Sequence, residues 1–157
     1  MRLLSTLVRV ALVGVLGVFL SAGVASADPP GNNGTVKIDG VAFDQYPDNE
    51  PHVGCTFQVD FYGFDLGDLN ASVKFSAQPP TGKSITLLTD TVFIGEDAAG
   101  GGTDVDAQRT YDLSGALKLF MAHPNQGYHV KLKVNAPGSI GKDTKYKTFW
   151  VTGCAGY

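Results

Sequence analysis

Residues 54–65 read GCTFQVDFYGFD, and from Cys55 onward the run alternates apolar and polar side chains. Phe57, Val59 and Phe61 fall on one side of an extended chain, with Thr56, Gln58, Asp60 and Tyr62 on the other. Period-two alternation of this length is the mark of a strand with one core face and one wet face. Working outward, similar runs recur at residues 35–40 (TVKIDG), 71–77 (ASVKFSA), 84–94 (SITLLTDTVFI, one strand or two), 108–114 (QRTYDLS), 128–136 (YHVKLKVNA) and 145–153 (KYKTFWVTG). Clusters of Gly, Pro, Asn and Asp separate them, and no long 3.6-residue period appears. About seven short strands in roughly 120 residues predict an all-β, immunoglobulin/fibronectin-III-like β-sandwich. Residues 114–121 (SGALKLFM) are the one place for a helical turn, or equally the crossing between two strands. The turn HPNQG ahead of Tyr128, followed by Y-x-V-x-L-x-V, matches a tyrosine corner and gives Tyr128 a structural role.

The N-terminus carries Arg2 and Arg9, a long apolar run and the triplet Ala25-Ser26-Ala27 before Asp28. This is the pattern of a secretory signal cleaved after Ala27, against the competing reading of an uncleaved membrane anchor. Residues 1–27 are therefore expected to be a signal peptide, 28–34 (DPPGNNG) a flexible lead-in and 35–157 a single domain. Loss of Arg2 and Arg9 moves the net charge from −3 to −5. No basic patch is expected, which argues against nucleic acid and anionic lipid as partners. The two cysteines of an exported chain, Cys55 and Cys154, predict one disulfide that staples the last strand to the sandwich.

Candidate chemistry is sparse. His52, His123 and His129 share no spacing that would unite them, and no G-x-S-x-G elbow accompanies the serines. Glu50 and Glu96 stand in acidic loops, the setting of solvated carboxylates. A calcium site would draw on Asp97, Asp104 and Asp106 in the loop around AAGGG, although the spacing is not that of an EF-hand; no other cofactor is expected. Lys37 and Asn135 have the residue types of an internal Lys–Asn cross-link. On the last strand Tyr146, Thr148 and Trp150 share a face opposite Phe149 and Val151, and core packing is the expected place for Trp150.

Five phrases, GTVKIDG, DNEPHVGCTFQVDFYGFD, FIGEDAAGGGTD, HPNQGYHVKLKVNAPGS and KTFWVTGC, fall between residues 34 and 154. In them the chain resembles a group of secreted actinobacterial proteins with an immunoglobulin-like sandwich, to which no activity is assigned. Longer members of that group look like sortase-anchored cell-wall proteins. The present chain ends Ala155-Gly156-Tyr157 with no LPxTG-like motif, so covalent anchoring is not expected. The resemblance implies no catalytic residues.

Together these features predict a secreted, non-enzymatic extracellular or cell-surface binding or structural module, whose partner would be a cell-wall polymer or an extracellular protein. The loops after Val41 and Ile94 would carry recognition. The alternative is a secreted hydrolase or effector using the acidic loops, and a third reading is an envelope component that self-associates through a free edge strand.

Overall fold

The computed structural model describes residue 31 and residues 33–44, 46–96 and 103–154. The expected signal segment, most of the expected lead-in and Asp97 lie outside them. Eight strands follow in order: β1 (Thr35–Gly40), β2 (His52–Gly54), β3 (Thr56–Tyr62), β4 (Asn70–Ala77), β5 (Ile85–Phe93), β6 (Val105–Asp112), β7 (Tyr128–Asn135) and β8 (Thr144–Thr152). A single helical turn, α1 (Ser114–Leu117), stands where the SGAL segment places it. Among the described residues no helix is long and apolar enough to cross a membrane.

The strands form two sheets, β1-β3-β6 and β2-β8-β7-β4-β5. The first has the A-B-E order of an immunoglobulin-like sandwich, and β8-β7-β4-β5 has the order G-F-C-C′. The 84–94 run yields one strand, β5 (Ile85–Phe93), whose pairing with β4 carries a bulge at Phe75/Ser76. β2 is an addition to the strands expected from the sequence. After β1 the chain crosses to the other sheet and lays three residues parallel to β8, pairing His52 with Trp150 and Gly54 with Thr152. It then crosses back into β3, and Cys55 stands at that second crossing. The Cys55–Cys154 disulfide joins the crossing to the end of β8 with a Cα–Cα separation of 5.0 Å.

The core lies between the sheets. Val36 and Ile38 from β1, Phe57, Val59 and Phe61 from β3, and Val130, Leu132 and Val134 from β7 are all buried. At its centre Phe57, Phe75, Tyr111 and Phe149 meet edge to face, with Phe75 and Tyr111 centroids 4.8 Å apart and Phe57 and Phe149 5.3 Å apart. Tyr128 is buried at the start of β7. The open side is clasped by Asp90 of β5, whose Oδ2 accepts from Arg109 Nε at 3.0 Å and from the Tyr111 hydroxyl at 3.2 Å.

One expectation of wetness fails. Asp60 and Tyr62 point away from the core, yet they are 1% and 0% exposed. Hydrogen bonding joins them, the Tyr62 hydroxyl donating to Asp60 Oδ2 at 3.3 Å. The loop after β1 is drawn back toward them, with Asp44 N–H donating to Asp39 Oδ2 at 2.9 Å. Burial first, then the neighbouring Asp39 charge, push the Asp60 carboxyl up to about 6 from 3.8. Because the folded value is the higher one, this group's contribution to stability is fully present below about pH 4 and is lost as pH rises to about 6. A rise of that size corresponds to about 3 kcal/mol. Asp60→Asn is therefore expected to stabilise the domain by about 1–3 kcal/mol at pH 8 and not at pH 3.5. Urea unfolding of both proteins across that range checks it; an equal effect at both pH values would refute the assignment.

Candidate functional site

Alternation along the five-stranded sheet sends a distinctive set of side chains outward. β7 buries Tyr128, Val130, Leu132 and Val134 and so turns His129, Lys131 and Lys133 out. β8 buries Phe149 and Val151 and turns out Tyr146, Thr148 and Trp150, while β4 turns out Ser72 and Lys74. Register then sets Lys74 directly opposite Lys133, and Lys133 opposite Tyr146. Lys131 Nζ stands 4.5 Å from the centroid of the Tyr146 ring, a cation–π contact. Ser72, Val73, Lys74, Thr89, Asp90, Thr91 and Lys133 line an open groove at the β5 side of this face.

Among the described residues, no outward-facing side chain of the five strands is a carboxylate. Asp90 is the single acid in the five strands, and it points inward to Arg109 and Tyr111. Burial would raise the Asp90 carboxyl, yet hydrogen bonds from Thr91 N–H, Arg109 and Tyr111 outweigh it and hold the group below its ordinary value. None of Lys74, Lys131 and Lys133 makes an ion pair among the described residues. The expectation of no basic patch is thus overturned: a chain of net negative charge segregates a row of lysines onto one sheet face.

At the β2 end of the same face the three histidines gather around Trp150. His129 stacks on it with ring centroids 4.6 Å apart and planes inclined by 23°. His123 lies 5.8 Å away and tilted, and His52 is the register partner of Trp150 on β2. His129 is held firmly: its Nδ1 is 2.7 Å from the Pro79 carbonyl, which can only accept, so Nδ1 carries the proton and Nε2 is left for other contacts. Its backbone N–H donates to Thr81 Oγ1 at 2.7 Å. His123 is placed by a tight turn in which Gly127, at φ +81°, donates to the His123 carbonyl at 2.9 Å. Trp150 is accordingly half-buried on the outer face and not in the core. Phe149 takes the core position because the strand's pleat admits only one of the two neighbours.

The acidic candidates are placed otherwise. Asp106 is buried and its Oδ2 accepts from Phe64 N–H at 2.9 Å, while the Asp104 carbonyl accepts from Gly63 N–H. Glu50 Oε2 accepts from Gly40 N–H at 3.0 Å. Asp97 lies outside the described residues, and among those described no trio of His, Cys, Asp or Glu is placed to hold a metal. Lys37 and Asn135 stand on the outer faces of opposite sheets, so the structure does not bring them together.

No family model, curated protein or solved structure matches the chain. The functional reading therefore rests on this geometry. Sequence reasoning does not single out Lys74, Lys131 and Lys133 as candidate site residues; the signal for the last two is the K-x-K within an apolar alternation, and for Lys74 only the strand pairing supplies it.

Proposed function

We propose that the protein is a secreted, non-enzymatic extracellular binding module, and that its binding surface is the outer face of the five-stranded sheet. One observation carries the reading. Like charges directly opposite on paired strands oppose folding, and Lys74 and Lys133 stand so, with neither in an ion pair among the described residues and Asp90 of the same groove engaged by Arg109 and Tyr111. A partner that brings negative charge would account for the arrangement. The A-x-A export pattern and the disulfide support an extracellular setting. The resemblance to secreted actinobacterial proteins supports wall polymer, or a protein bound to it, as the partner.

Purified oxidised protein is expected to co-sediment with washed actinobacterial walls and to be released by about 0.5 M NaCl, at which ionic interactions are strongly screened. EDTA is expected to leave the sedimentation unchanged, since the reading requires no calcium. The Lys74→Gln/Lys133→Gln protein is expected to stay in the supernatant while melting at the same temperature as the parent or slightly above it. Sedimentation of that variant as complete as the parent's would remove the surface from the proposal.

The rival is a secreted hydrolase or effector using the acidic loops; the carboxyl that burial pushes up to about 6, that of Asp60, stands on β3 outside those loops. That group is 1% exposed, and its reach toward a substrate is what the rival lacks.

A further inference from the structure

Resting on that reading of the surface, we infer that its ligand is an anionic glycan, a polymer of sugar units bearing carboxylate or phosphate groups, laid across the sheet from Trp150 toward the Lys74–Lys133 groove. The face has two chemically distinct parts, and an anionic glycan is the class that uses both. Toward β5, Lys131, Lys133 and Lys74 set three positive charges on adjacent strands. Two residues along β7 advance about 6–7 Å and one step between strands about 4.8 Å, so the charges form a short row suited to successive acid groups and not to one isolated ion. Toward β2, Trp150 is half-buried, with His129 stacked on one ring face, His123 tilted 5.8 Å away and the exposed His52 as its register partner. Flat aromatic surface with imidazole nitrogens at its margin suits the C–H face and hydroxyls of a sugar ring.

Charge alone would fit nucleic acid equally well, and one observation weighs against it. The cations of the face are all lysines; arginine, which pairs with phosphate and guanine in bidentate fashion, is absent from all five strands. The floor of the groove adds short hydroxyls from Ser72, Thr89 and Thr91, the partners of a hydroxylated polymer.

The chain has one tryptophan, and it is at the site, so its fluorescence reports binding directly. The oxidised protein would be titrated with polygalacturonate, with its methyl-esterified neutral form, with yeast phosphomannan and with single-stranded poly(dT). A saturable change with polygalacturonate or phosphomannan, weakened at least tenfold between low and physiological salt and by Lys74→Gln/Lys133→Gln, is the expected result; which of the two acts identifies the acid group. Trp150→Phe, followed by sedimentation with the same polymer, is expected to weaken binding several-fold with the melting temperature held. Equal response to the neutral ester, tighter binding of poly(dT), or no response to either acidic glycan would overturn the inference. In the last case, walls that still retain the parent and not the lysine variant would leave the binding surface standing and remove only the ligand class.

Discussion

Replacing Cys55 and Cys154 together by serine is expected to lower the stability of the oxidised domain by about 3–5 kcal/mol. The two positions are 99 residues apart in sequence, and the chain-entropy account assigns a loop of that size up to about 4.7 kcal/mol. Against a typical total of about 5–15 kcal/mol this is a large share. The local structure around the bridge has little to compensate with, because β2 is three residues long and reaches β8 through a short parallel ladder. Urea unfolding of the double variant, and of the parent before and after reduction, measures the effect. A loss below about 1 kcal/mol would mean that the β2–β8 pairing and the core around Val53 and Val151 hold this end of the sandwich unaided.

Phe75→Ala should be nearly as damaging, at about 3–5 kcal/mol, the usual cost of emptying a buried phenylalanine site. Phe75 is 0% exposed and faces aromatic rings from three other strands: Tyr111 at 4.8 Å, Phe57 at 5.5 Å and Phe149 at 6.4 Å. It therefore links both sheets, and its removal takes edge-to-face contacts worth about 0.5–1.5 kcal/mol each in addition to the buried area. The urea midpoint is expected to fall with the slope of the transition unchanged. A cycle of Phe57→Leu and Phe75→Leu should show coupling of about 0.5–1.5 kcal/mol. Additive losses would show that the rings fill space and nothing more.

The fold is legible because alternation is a local property: Phe57, Val59 and Phe61, or Val130, Leu132 and Val134, declare their common face without knowledge of their neighbours. β2 is not legible, since His52–Gly54 is too short for a period and becomes a strand only through pairing with β8. Trp150 is misplaced by a sequence reading because hydrophobicity favours burial, while the pleat gives the inward position to Phe149. The lysine row is hidden by averaging. Net charge sums over the chain, whereas Lys74 and Lys133 meet only through the register of β4 and β7, far apart in the sequence. The same holds for His52, His123 and His129, which have no common spacing and converge through strand order. Asp60 and Tyr62 mark the opposite failure, a face read as wet that tertiary contacts close.

The position of the disulfide also bears on how the protein would respond to being pulled. Between Cys55 and Cys154 lie nearly all of the sandwich's strands, and the covalent path between those points spans 5.0 Å at the Cα atoms. Drawn out without the bridge, those 99 residues would lengthen by roughly 330–360 Å. With it, tension applied at the two ends of the chain bypasses β3 to β8, and only β1, β2 and the terminal segments can extend. Under load the strands that carry Lys74, Lys131, Lys133 and Trp150 would stay in register, while β2, with His52, can be drawn away from β8.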